Sequence, residues 1–242
     1  MRKIIIAILP LFVFACSDAP TEPPSAASVS LTVRQVSLPS LSIAAFSSPM
    51  IAVDSIAIAR ARILIKSIDF EGGDDSRDSD DLEFSTKPML LDLSLIDSVQ
   101  TVMVAMIPFG AYDEIEIEIR KLAFADTLAR ADSVLFADFI AGGYSIIIEG
   151  MTYKAGAGTQ FVYSAAIRVE QEYDLDPPLI VSADSPNANV TLAIYSNAWF
   201  VRDGMILDPN DAANYNVIKW NIENSFEMYE DGDKDGDDGD DD

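Results

Sequence analysis

The C-terminal run EDGDKDGDDGDDD, residues 230–242, is the densest group of metal-type ligands in the chain. Asp231, Asp233 and Asp235 take the first, third and fifth places of a calcium-binding loop, and Gly236 falls at the sixth, where such a loop turns sharply. Calcium takes several hard oxygen ligands, so alternate aspartates have a physical purpose. Gly239 occupies the ninth place, which suits a water or backbone ligand. Asp242 occupies the twelfth, in place of the longer bidentate glutamate. Asp231, Asp233, Asp235, Gly239 and Asp242 are therefore the expected metal site, with calcium as the candidate cofactor. The same run also reads as a solvated acidic tail.

Two other acidic groups carry weaker chemistry. GGDDSRDSDDLE, residues 72–83, places Asp74, Asp75, Asp78, Asp80 and Asp81 in an exposed loop that binds a cation or simply keeps the surface solvated. Asp203, Asp208 and Asp211 stand near Trp199 and Phe200. Carboxylates beside aromatics fit sugar recognition or a hydrolytic acid pair. They fit equally a loop and helix start, DPND, with aromatics covering a core edge.

The composition removes whole classes of function. The chain of 242 residues has no histidine, so Ser-His-Asp and Cys-His catalysis and histidine-based zinc or iron sites are excluded. Its formal charge of −24 leaves no basic footprint for nucleic acid. A single cysteine excludes an internal disulfide, so the domain is held by packing.

That cysteine stands in MRKIIIAILPLFVFACS. Arg2 and Lys3 form a positive start, and the apolar stretch that follows is too short for an ordinary transmembrane helix. The sequence Val13-Phe14-Ala15-Cys16 resembles a bacterial lipoprotein signal, with Phe14 larger than that pattern usually has. The resemblance implies lipidation of Cys16 and cleavage before it. Several acyl chains anchor stably, at about 0.8 kcal/mol for each buried CH₂. If the resemblance holds, Ser17 after the cysteine permits export to the outer membrane, the expected location. Residues 1–15 then form the signal, 16–30 a Pro- and Ser-rich lipidated tether, 31–229 the folded domain and 230–242 the acidic tail.

The domain must be built mainly from strands. DEIEIEIR sends Ile115, Ile117 and Ile119 to one face and Glu114, Glu116, Glu118 and Arg120 to the other. GTQFVYSAAIRVEQEY aligns Phe161, Tyr163, Ala165, Ile167 and Val169 in the same way. In SIAIARARILIKSIDFE the apolar face shifts from Ala61, Ile63 and Ile65 to Ile68 and Phe70. One extra residue near Lys66 or Ser67, a β-bulge, restores the register. MLLDLSLI and VQTVMVAMIP read as neighbouring strands, and KAGAG as a hairpin turn. Val190, Leu192 and Ile194 mark another strand. Within residues 208–227, Ile218, Ile222 and Phe226 recur every four residues and predict a helix, with Asp211 or Asn214 as its cap and Trp220 against the sheet margin. The stretch LAFADTLARADSVLFADF stays open between a short helix and a strand pair. Polar outer faces favour antiparallel pairing. The expected fold is a mainly β, antiparallel β-sandwich with a short C-terminal helix.

ARILIKSIDFEG, IPFGAYDEIEIEIRKL, YDLDPPLIV and DPNDAANYNVIKWNIENSF, followed by an acidic end, are similar to uncharacterised bacterial lipoproteins with β-sandwich modules. The resemblance implies location and fold, and no catalytic residues. The expected role is a membrane-anchored, non-enzymatic binding or structural module of the cell envelope. Its partners would be the membrane through the lipid anchor and a protein or glycan of the envelope. The alternatives are a calcium-stabilised adhesion or glycan-binding module and a carboxylate-dependent hydrolase.

Overall fold

The computed structural model describes residues 26–35, 52–72, 82–93, 99–123, 134–183 and 187–230. Strands dominate them, and two main sheets enclose one apolar core. The mainly β sandwich with a short C-terminal helix is the architecture found. No helix among the described residues is long and apolar enough to cross a membrane.

The spine of the larger sheet is β3 (Ser55–Glu71). Ala61, Ile63, Ile65, Ile68 and Phe70 are all buried. In its pairing with β7 (Gly110–Ile119), Ile65 lies opposite Ile119 and Ser67 opposite Glu118, so Lys66 is the inserted residue. The expected bulge is present. Without it, Ile68 and Phe70 would turn to solvent, because a one-residue slip reverses every following side chain. A second irregularity, between Ile58 and Arg60, lies in the pairing with β8 (Ile146–Lys154).

The strand order across this sheet is β10 (Val169–Val181), β7, β3, β8 and β9 (Ala157–Ala165). The short strands β4 (Glu83–Ser85) and β5 (Met89–Leu93) also pair with β3. Ile115, Ile117 and Ile119 are fully buried, as their alternation requires. The turn between β8 and β9 is closed by Ala155 and Gly156, both with positive φ, the conformation of a tight two-residue hairpin.

The run 158–173 does not form one continuous strand. Phe161, Tyr163, Ala165, Ile167 and Val169 are all buried, but the ladder breaks at residues 166–168. Its two parts, β9 and β10, belong to opposite margins of the sheet. In a flat sheet four strand spacings cover about 19 Å. Four extended Cα steps reach only about 14 Å. The sheet is therefore strongly coiled, which brings its margins together.

The smaller sheet has the order β14 (Phe226–Glu230), β11 (Asn187–Ile194), β1 (Ala26–Gln35) and β6 (Val99–Pro108). Val29, Leu31 and Val33 point into the core with Leu192 and Ile194. One pair departs from the antiparallel pattern: β1 runs parallel to β11. No hairpin links those two strands, so chain direction is free to match. The expected neighbours β5 and β6 also separate, since β5 pairs with β3 and β6 with β1. Alternation fixes a strand's inner face and leaves its partner open. β1 begins at Ala26 rather than Leu31, and β14 runs to Glu230, so both ends of the expected domain reach slightly further.

A third, small sheet joins β2 (Ala52–Val53), β13 (Met205–Leu207) and β12 (Val201–Arg202). The C-terminal helix follows at Tyr215–Glu223, shorter than the expected span. Asp211 caps the 3-10 turn Ala212–Asn214 before it by accepting from the Ala213 backbone N–H at 2.9 Å. Asn214 occupies the N-cap position of the helix but makes no side-chain capping bond there; its amide donates to the Asp208 carbonyl at 3.0 Å. Ile218 and Ile222 are fully buried. Phe226, expected as the third member of that stripe, is instead the first residue of β14.

The open stretch LAFADTLARADSVLFADF ends in the short helix Ala137–Gly142. Phe136 and Phe139 pack with Leu64 and Ile147 in a separate small cluster. Arg62 lies beside it, over the Phe139 ring at 5.6 Å and 3.4 Å from both Asp138 and Glu149.

Candidate functional site

The registers of β3, β7 and β10 stack carboxylates in rows across one face. Glu71, Glu114 and Asp174 form the first row. Asp69, Glu116 and Glu172 form the second. In the third, Glu118 stands between Ser67 and Glu170. Like charges directly opposite each other in a sheet repel and destabilise the pairing. This face therefore works against its own strand pairing.

The consequences differ along β7. Glu114 is half-buried, and burial together with Glu172, Glu71, Asp174 and Asp113 raises its carboxyl above the ordinary 4.5. Burial and the charges of Glu170, Asp69, Glu118 and Glu71 raise Glu116 as well. Glu118 goes the other way. Burial pushes it up, but hydrogen bonds from Lys66 and Arg120 outweigh that and hold it below 4.5. The Lys66 ammonium is 2.7 Å from Glu118 Oε2, and Arg120 Nε donates to Oε1. Lys66 is the bulge residue, so the insertion that keeps Ile68 inside also supplies the cation at the end of the acidic rows.

Carboxylate oxygens of Glu114, Glu172 and Asp174 lie within 4.8 Å of one another. Three hard anionic oxygens at that spacing could hold a metal ion, which would complete its shell with water or further oxygens. The chemistry available is binding and charge neutralisation.

The sequence alone does not single out this group. Its signal is present in EIEIE and VEQEYD, two runs with acids on the polar face. What brings them together is the β7–β10 register, which places Glu116 opposite Glu172 and Glu114 opposite Asp174. The expected calcium residues Asp231, Asp233, Asp235, Gly239 and Asp242 lie outside the described residues. So do Cys16 and the acidic-loop residues Asp74, Asp75, Asp78, Asp80 and Asp81.

The aromatic group is rearranged. Trp199 and Phe200 are buried, so neither offers a face to a ligand. Asp208 Oδ1 accepts from the Asn210 backbone N–H at 2.9 Å, a turn role, and Asp211 is the cap described above. Trp220, expected against the sheet margin, is exposed instead.

Comparison with protein-family models, with curated proteins and with solved structures gives no match.

Proposed function

We propose that this chain is a lipid-anchored module of the bacterial envelope that works by binding, and that its working surface is the acidic outer face of β3, β7 and β10. The observation that carries the surface is the register that stands Glu114 beside Asp174 and Glu116 beside Glu172. A face that repels itself is relieved when a cationic partner arrives, and sites of function are where local rules of stability are broken. The anchor rests on Val13-Phe14-Ala15-Cys16 and on the short tether between Cys16 and β1. Ser17 supports placement in the outer membrane.

A calcium-stabilised form of this module is the second reading, favoured by the convergence of Glu114, Glu172 and Asp174. The test has two arms. Detergent-phase partition and mass spectrometry of the mature N-terminus should find Cys16 acylated, and an unmodified or differently cleaved N-terminus overturns the anchor. Calcium should raise the melting temperature at low ionic strength, and the Glu172→Gln/Asp174→Asn protein should lose most of that rise. An equal rise in both proteins removes the sheet face from the reading.

A further inference from the structure

The two tryptophans of this chain sit in opposite environments. Trp199 is fully buried, and its indole N–H donates to Ser225 Oγ at 2.6 Å. Trp220 leaves 63% of its surface exposed on the C-terminal helix. It is the largest side chain among the exposed apolar residues of the described chain. An indole left in water invites a partner with an apolar face and polar edges.

Trp220 does not stand on a flat surface. Together with Asn216 and Val217 it lines one wall of a concavity of about 570 Å³. Residues 216 and 220 are four apart and share one helical face. The opposite wall is the β12–β13 hairpin, which brings Arg202 and Asp203. Asp203 and Gly204 form its two-residue turn, with φ of +50 and +75. Aspartate tolerates that left-handed conformation better than most residues.

The two walls are fixed to each other. The Asn221 side-chain amide donates to the Trp199 carbonyl at 3.1 Å and to the Val201 carbonyl at 2.9 Å. Ile218 and Ile222 hold the helix from beneath. The concavity is thus preorganised, which lowers the ordering cost of binding. Its size lies in the range of sites that take small ligands, about 300–1,000 Å³.

Charge narrows the ligand. Arg202 Nε is 3.6 Å from Asp203 Oδ2, so this site is locally neutral in a chain of formal charge −24. Neither a phosphate nor a polycation is favoured here. The remaining chemistry is an aromatic plane flanked by a carboxylate, a guanidinium and an amide. A sugar ring matches that set, since it presents an apolar C–H face and a rim of neutral hydroxyls that both donate and accept.

We infer that the concavity between the C-terminal helix and the β12–β13 hairpin binds a neutral carbohydrate. Trp220 is the stacking platform, and Asp203, Arg202 and Asn216 are the hydroxyl partners. This site shares no residue with the acidic sheet face and stands apart from anchoring at Cys16.

The experiment titrates the mature protein with neutral gluco-, manno-, galacto- and N-acetylglucosamine oligosaccharides in EDTA, so that cation binding is silent. Tryptophan fluorescence and calorimetry are the readouts. At least one series should give saturable binding with a blue shift from Trp220. Trp220→Ala should weaken it about tenfold or more, and Trp220→Phe should keep part of it. Asp203→Asn should weaken it several-fold. Circular dichroism of each variant should match the parent. The inference is overturned by absence of binding across all four series, or by equal affinity in Trp220→Ala. It is also overturned if Trp220 is needed for capture of an envelope protein while no sugar binds.

Discussion

Glu114 of β7 lies directly opposite Asp174 of β10, two carboxylates in register on the outer face of one sheet. Glu71 of β3 meets Glu114 from the other side. Burial, together with Glu172, Glu71, Asp174 and Asp113, raises the Glu114 carboxyl above its ordinary value.

The pH response has a definite sign. A carboxyl whose folded pKa is raised holds its proton more tightly in the folded protein. Its stabilising contribution is full below the ordinary 4.5 and is lost as pH rises through the raised value. The stability difference between the parent and Glu114→Gln should therefore grow against the parent as pH climbs from 4.5 towards neutral. At pH 7 and low ionic strength the variant should be more stable by about 0.2–1 kcal/mol. Urea unfolding across that range measures it, and a variant less stable at pH 7 would count against the stacked-charge account.

Lys66 offers a test of the bulge separately from its charge. Lys66→Ala keeps the inserted residue and loses only a partly exposed ion pair with Glu118, about 1 kcal/mol or less. Deletion of Lys66 slips the register and turns Ile68 and Phe70 outward, at about 1.5–3 kcal/mol for each. The alanine protein should unfold cooperatively near the parent midpoint. The deletion protein should lose most of its stability, and similar midpoints for the two would refute the register assignment.

Asn221 fastens the C-terminal helix to the hairpin. Asn221→Ala leaves the Trp199 and Val201 carbonyls without that donor, at about 1 kcal/mol for each bond. Thermal unfolding should show a clear loss. Emission from Trp199 should also shift red as its surroundings loosen, and an unchanged melting temperature would show that the two bonds contribute nothing.

Calcium calorimetry distinguishes the acidic tail from the sheet. Deletion of residues 231–242 removes Asp231, Asp233, Asp235 and Asp242 while leaving Glu114, Glu172 and Asp174 in place. If the tail is the calcium loop, the titration heat disappears with it. If the sheet face is the site, the deletion leaves the isotherm intact and Glu172→Gln/Asp174→Asn abolishes it.

Much of the fold is legible in local patterns. The isoleucines of β7 alternate with acids, and the face change in β3 confines the bulge to Lys66 or Ser67, because burial on one side of a strand has a strict period of two; the register then selects Lys66. Partner choice is not legible. β5 and β6 read as neighbours and join different sheets, since the deciding contacts are remote in sequence. Phe226 fits two patterns at once. It is four residues past Ile222, and it also alternates with Met228 in β14, where both are buried. The exposure of Trp220 was available in principle: two residues beyond Ile218, it falls on the far side of a helix. The acidic rows were half visible, as charged outer faces without their register.

The position of β1 has a mechanical consequence. Its first residue, Ala26, lies ten positions after Cys16, and its two flanks are hydrogen-bonded to β11 and β6. If Cys16 is held in lipid, as proposed, a pull on the domain enters through an interior strand. Separation then requires many hydrogen bonds to shear at once, where an edge strand would peel away one bond at a time. An anchor at that end would thus hold the domain by an interior strand and not by an edge.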